Sequence, residues 1–293
     1  MYEAISSNKV RTVILIFIFI VFISALGYVF GKVTGFGYFG LPLALIISLT
    51  MGLSSYRYGD KIILSMSKAR PVEKQEYPYL YNVVESMAIA AGLPTPKAYV
   101  IDDPAPNAFA TGRDPEHASI AVTTGLLDKM NRQELEGVIA HEMSHVKGYD
   151  IRLMAVVSIL AGIVVLLSDW LIRSFFWGGF RDRDEDMGQL GIVFALLGLV
   201  LAILSPIFAM LIQMAVSRKR EFLADAQAAM LTRYPPGLAS ALKKLSADKE
   251  QLKVANKATA HLYIANPLKG SKLNRLFDTH PPIEDRIAKL EAM

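Results

Sequence analysis

Two long apolar runs open the chain, Thr12 to Gly31 and Val33 to Tyr56, and neither contains a charged residue. Each is long enough to cross about 30 Å of hydrocarbon at about 1.5 Å per residue. The pattern therefore predicts two transmembrane helices, at residues 12–31 and 37–56, joined by a tight turn near Gly31 to Gly37. A cleaved secretory signal is the competing reading of the first run, because Lys9 and Arg11 precede it and small residues occur in Ser24-Ala25-Leu26-Gly27. The run is too long for a typical signal core, and a second span follows at once. Two further apolar runs, Leu153 to Ser168 and Met187 to Ser217, predict a helical hairpin over residues 151–172 and 188–215. The uncharged part of the first arm is only about 16 residues long before Asp169, so a buried or re-entrant pair is an open alternative.

The polar remainder forms two pieces, residues 58–150 and 217–293, separated by the hairpin at 151–216 and preceded by the spans in 1–57. A helical pattern covers Tyr79 to Ala91 and is closed by Gly92-Leu93-Pro94. Lys97 to Ile101 alternates as a short strand, Asp102 to Asn107 is rich in turn formers, and Ala118 to Val122 reads as another strand. The next helix has an explicit start and stop. Asn131 is a natural N-cap, Glu134 its capping-box partner, and Gly148 stands where a C-terminal stop is expected. The expected fold class is a mainly α membrane protein: a helical transmembrane bundle with an α+β domain carrying a short β-sheet.

Composition agrees with a bilayer. Hydrophobic residues make up 53% of the 293 positions and charged residues only 20%, and the mean hydropathy is positive. Lys9 and Arg11 precede the first span, Arg57, Lys61, Lys68 and Arg70 follow the second, Lys147 and Arg152 precede the third, and Arg218, Lys219 and Arg220 follow the fourth. With four crossings all of these lie on one side, which the positive-inside rule assigns to the cytoplasm. The net charge of +4 is then a topology signal, with no nucleic-acid element behind it. The absence of cysteine suits a reducing face and excludes both a disulfide framework and thiol catalysis. A compact four-span chain without a targeting peptide fits a prokaryotic inner or plasma membrane.

Candidate chemistry sits in the capped helix, where His141-Glu142-Met143-Ser144-His145 reads H-E-x-x-H. Residues four apart share one helix face, so His141 and His145 can aim ring nitrogens at one Zn²⁺ while Glu142 faces the water in an open coordination position. Zinc lowers the pKa of such a water to about 7, and a neighbouring carboxylate can take its proton. Glu221 is the candidate third ligand, opening an Ala-rich helical segment that has no helix breaker. Asp225, one turn on, is placed to accept the second ring N–H of a ligating histidine. The plainer alternative is that Glu221 and Asp225 pair with surface cations such as Arg218 or Lys219.

The ordered set Asn107-Ala108-Phe109-Ala110-Thr111-Gly112, His141-Glu142-Met143-Ser144-His145, Ser217-Arg218-Lys219-Arg220-Glu221, Ala224-Asp225-Ala226 and Thr279-His280-Pro281-Pro282 resembles the HtpX family of membrane-embedded zinc metalloproteases. That family groups with the prenyl-protein CAAX proteases among gluzincins. The resemblance implies one Zn²⁺ per chain held by His141, His145 and Glu221, Glu142 as catalytic base, and a site facing the cytoplasm. It further suggests His280, stiffened by Pro281 and Pro282, as a second electrophile for the oxyanion, the alternative being a loop histidine that caps a helix. Asn107 to Gly112 is expected to edge a cleft in which an extended substrate bonds to a strand, or else to be an ordinary turn. Arg286 either pairs with Asp225 or the reaction intermediate, or is solvated. His117 and His261 are left outside the site.

Three functions follow as expectations. The first is an endopeptidase for misfolded or surplus membrane proteins, acting in quality control and stress response. The second is a processing protease for a defined peptide or lipidated tail. The third is a non-catalytic zinc-containing scaffold, against which the intact Glu142 counts. Polypeptides and the lipid bilayer are the expected partners.

Overall fold

The structure is a computed structural model and describes residues 2–33, 37–177, 196, 200, 218–253, 259–267 and 280–293. Its helices are α1 (Tyr2–Val33), α2 (Gly40–Met66), α3 (Pro78–Ala91), α4 (Thr124–Lys129), α5 (Arg132–Lys147), α6 (Asp150–Trp177), α7 (Arg218–Thr232), α8 (Pro235–Ala247) and α9 (Ile283–Glu291). Strands β1 (Arg70–Pro71), β2 (Lys97–Ile101), β3 (Ala108–Gly112) and β4 (Ala118–Thr123) form one mixed sheet in the order β1-β2-β4-β3. Only β2 and β4 run parallel, with Val100 opposite Val122. β3 returns antiparallel to β4 and places Ala110 opposite Ile120.

The sheet is buried on both faces, and period-two alternation sorts its side chains. Ala98, Val100, Ala108, Ala110, Ile120 and Val122 face one core, shared with α3, α5, α7 and α8. Ile101, Phe109 and Ala121 face a second core with Ile63 and Leu64 of α2 and Met154 and Ala155 of α6. At the centre of the first core lies α5, buried from Leu135 onward along most of its length. Its ends follow the sequence: the Asn131 side chain accepts from the Glu134 N–H, Glu134 reaches back to the Asn131 N–H, and Gly148 is the C-cap. Gly137 lets α8 approach closely, since a Cβ there would lie 2.7 Å from the Leu238 backbone nitrogen.

The helices nearest the N-terminus depart from expectation. α1 is longer than the predicted 12–31 because it begins before the apolar run. Its segment Ile5–Tyr28 is long and apolar enough to cross a membrane, and among the described residues no other helix is. The second predicted span, 37–56, becomes a 3-10 turn at Gly37–Phe39 followed by α2. That helix does not stop at Tyr56; it passes Arg57 and Lys61 and inserts Ile63 and Leu64 into the core beneath the sheet, so the predicted boundary at residue 57 falls inside it. The first arm of the predicted hairpin is α6, while residues 188–215 lie almost wholly outside the described residues. α1, α2 and α6 pack through Phe19, Ile23, Ala44, Val156, Leu160 and Val164.

Substituting Gly137 by Ala sets two effects against each other. Helix propensity favours Ala by about 1 kcal/mol, whereas overpacking against a fixed backbone costs about 1–3 kcal/mol. The contact is with backbone, which no rotamer change relieves, so Gly137→Ala is expected to lower the melting temperature. A raised melting temperature would show that α8 withdraws freely.

Candidate metal centre

The buried face of α5 carries His141, Glu142 and His145 side by side, each 6% exposed or less. From α7, Glu221 approaches with its two oxygens near the two rings: Oε2 is 3.7 Å from His141 Nε2, and Oε1 is 3.5 Å from His145 Nε2. The ring nitrogens themselves are 3.1 Å apart. Glu221 Oε2 is buried without a hydrogen-bond partner among the described residues. Donors around a tetrahedral zinc, with bonds of about 2.0–2.1 Å, stand about 3.4 Å apart, so these three side chains fit that ion.

Each histidine is oriented from behind. His141 Nδ1 lies 2.9 Å from Asp225 Oδ1, and His145 Nδ1 lies 3.1 Å from Asp150 Oδ2. Both Nδ1 atoms therefore carry protons and donate to carboxylates, which leaves the Nε2 lone pairs directed inward. Two such lone pairs 3.1 Å apart require a proton or a cation between them.

The supporting carboxylates are held in turn. Arg286, 1% exposed, grips Asp225 in a fork, Nε to Oδ2 at 2.8 Å and Nη2 to Oδ1 at 2.7 Å, and Nη1 donates to the Ile264 carbonyl at 3.0 Å. The pairing with Asp225 is thus realised, and the solvated alternative is not. Asp150 also takes the Arg220 guanidinium. Asp150 and Arg220 were not read from the sequence as site residues. Asp150 follows His145 by five positions, one more than a helix face allows, and points back because Tyr149 adopts a left-handed φ of 59°.

The remaining predicted residues fall as follows. His280 Nε2 lies 3.5 Å from Glu221 Oε2, at the edge of the cluster. Asn107 is turned to its own chain: Nδ2 donates to the Ala265 carbonyl at 2.9 Å, and Oδ1 accepts from the Ala108 N–H at 3.1 Å. The amide expected to meet a substrate is thus engaged by the segment that also donates Ile264 N–H to the Ala108 carbonyl. His117 pairs with Asp114 at the surface. His261 is buried against Ser158, outside the donor group.

Comparison with known proteins decides the family. Residues 74–293 match the model of peptidase family M48. The chain belongs to that family. It is 52% identical over its whole length to a protease HtpX homolog of Dictyoglomus thermophilum, covering 94% of that protein. A protease HtpX homolog of Caldanaerobacter subterraneus subsp. tengcongensis is 46% identical, with 100% of this chain and 98% of that protein aligned. The fold is similar to the crystal structure of S. mikatae Ste24p, with a TM-score of 0.53, 20% identity, and coverage of 99% of this chain and 67% of that one. This M48 peptidase is a metalloprotease, and its His141, His145 and Glu221 form a group able to hold a metal.

In the M48 peptidase the charges of the cluster are shared unevenly. Burial raises the Glu142 carboxyl to about 7, only partly offset by nearby His145 and by the Ala110 N–H that donates to it. Burial also opposes the charge on His145, but Glu221 and Asp150 outweigh it and lift the imidazole to about 9. His141 is lowered, chiefly by burial. Glu221 is brought down to about 2 because His280, His145 and His141 overcome its burial. Without metal, then, a His145 proton occupies the gap between the two rings at neutral pH.

A zinc ion held here would need His145 Nε2 free of that proton, so below about pH 9 each ion bound would release one proton. The apparent zinc affinity is therefore expected to fall about tenfold per unit as pH drops, or about a hundredfold from pH 8 to pH 6. Chelator competition across that interval measures it, and a flat profile would contradict the assignment of the proton to His145.

Proposed function

We propose that the chain is an integral-membrane zinc endopeptidase that cleaves misfolded or surplus membrane proteins at the cytoplasmic face. The observation that carries this reading is the convergence of His141, His145 and Glu221 beside the buried Glu142. His141, His145 and Glu221 would hold one zinc ion, which when bound supplies a Lewis acid and an acidified water. Glu142, with a carboxyl near neutrality, takes the proton of the attacking water and delivers it to the leaving amine. His280, beside Glu221, offers an N–H to the oxyanion. The forked Arg286 holds Asp225, and Asp225 keeps His141 Nδ1 protonated. An extended substrate lies along β3 beyond Ala108, and Asn107 assists by bracing the segment at Ala265.

A membrane setting is supported by the surface of the first helices. Val13, Phe17 and Val21 of α1 and Leu43, Ile46 and Leu53 of α2 are more than half exposed. At one end of these helices, cations stack on tyrosines: Lys9 on Tyr149, Arg152 on Tyr56 and Tyr149, and Lys61 on Tyr58. Tyrosine with Lys and Arg is the composition of a cytoplasmic membrane interface. The site adjoins this collar, because Tyr149 directly precedes Asp150.

Purified protein loaded with Zn²⁺ is expected to cut casein and to stop on chelation. Glu142→Gln should lose about 10²–10⁴-fold in rate while keeping its metal; undiminished cleavage sinks the mechanism. Glu221→Ala should lose both metal and activity. For orientation, a tag at Met293 should resist added protease in intact cells and be cut in inside-out vesicles. Cutting in intact cells reverses the topology.

A further inference from the structure

We propose that Asn8, on the first helix, is a positioning residue for the metal site: through Asp150 it fixes the ring of His145 and so sets how tightly the ion is held. The inference rests on the reading of His141, His145 and Glu221 as zinc ligands. Asn8 is 1% exposed. Its Nδ2 donates to the Gly148 carbonyl at 2.9 Å and to Asp150 Oδ1 at 2.7 Å. Both partners only accept, so the orientation of the amide is dictated by chemistry. On its other oxygen Asp150 takes Arg220 and His145 Nδ1. The carboxylate that orients a ligand is therefore clamped from two directions, by α1 and by the residue preceding Glu221.

Two details show that the corner is shaped for this contact. Gly148 has an ordinary φ of −80°, so its lack of a side chain serves space: a Cβ would meet Arg220 Nη2 at 2.5 Å and Asp150 Oδ2 at 3.0 Å. The oxygen of the Asn8 amide is buried with no hydrogen-bond partner among the described residues. An apolar side chain of that size would dock α1 without stranding an oxygen. The neighbouring contacts of α1, where Leu15 packs on Leu153, Val157 and Ala161, already supply apolar docking. What an apolar residue does not supply is the N–H that faces Asp150.

Outer partners of metal-ligating histidines typically change metal affinity by about 10–100-fold when removed, and Asn8 acts one bond further out. The test uses the full-length protein in detergent micelles, with zinc affinity read by chelator competition and ligand geometry by the visible spectrum of the Co²⁺-loaded form. Asn8→Leu is expected to bind one zinc at saturation, with affinity about tenfold weaker and shifted cobalt bands. Asn8→Asp is nearly isosteric and faces Asp150 with a second carboxyl; it should weaken binding at least as much, and it decides the matter if Asn8→Leu does not fold. Thr12→Val removes only the Thr12 hydroxyl bond to the Asn8 carbonyl and should leave affinity unchanged. Wild-type affinity and spectra in both Asn8 variants overturn the proposal, and so does an equal loss in Thr12→Val, which would mark general loosening of α1. A wild-type chain that binds no zinc, or a Glu221→Ala variant that binds it undiminished, overturns the ligand assignment instead.

Discussion

Two imidazole nitrogens held 3.1 Å apart around a space for one proton or metal ion are the arrangement on which the rest of the protein depends. Left to itself such a pair is repulsive, and burial removes the water that would relieve it. A proton or a metal ion between the nitrogens relieves the repulsion, and the structure surrounds that buried positive charge with compensating groups. Glu221 supplies an anion in front, Asp225 and Asp150 supply anions behind, and Arg286 and Arg220 return positive charge to those carboxylates. Removing one member strands another in a low-dielectric interior, and for that reason segments distant in sequence must arrive together.

This requirement accounts for the layout. α5 brings the histidines, α7 brings Glu221 and Asp225, the start of α6 brings Asp150, and α9 brings Arg286. The sheet contributes its β3 edge, from which the Ala110 N–H reaches Glu142. α5 is buried along most of its length, whereas α9 buries Arg286 and Leu290 and leaves Glu284, Asp285 and Lys289 to solvent. The small β-sheet, buried on both faces, separates the core around α5 from the one formed with α2 and α6.

Local signals in the chain explain what could be read in advance. The capping box at Asn131 and Glu134, the four-residue spacing of His141 and His145, and the same spacing of Glu221 and Asp225 each lie within one helix, where geometry is regular. Asp225 meeting His141 follows from that regularity once the two helices pack. Asp150 was missed because it lies beyond the helix end, past a left-handed Tyr149 that no residue preference announces. Asn8 was missed because its partners are about 140 positions away, and a single amide in the polar stretch Ser6-Ser7-Asn8-Lys9 carries no local signal of them. The extent of α2 was misjudged for a related reason. Arg57 and Lys61 ended the apolar run in sequence but not the helix, whose later turns are buried by the sheet instead of by lipid.

The segment that bonds to β3 at Ala108 has one more consequence. A short mixed sheet presents two outer strands whose free backbone groups invite pairing with any extended chain nearby. Here Pro71 removes a donor from one border, while Ile264 and the Asn107 amide occupy part of the other. One margin is thus blunted and the other covered at Ala108, so the pairing the sheet can offer an extended chain is confined to β3 beyond that residue.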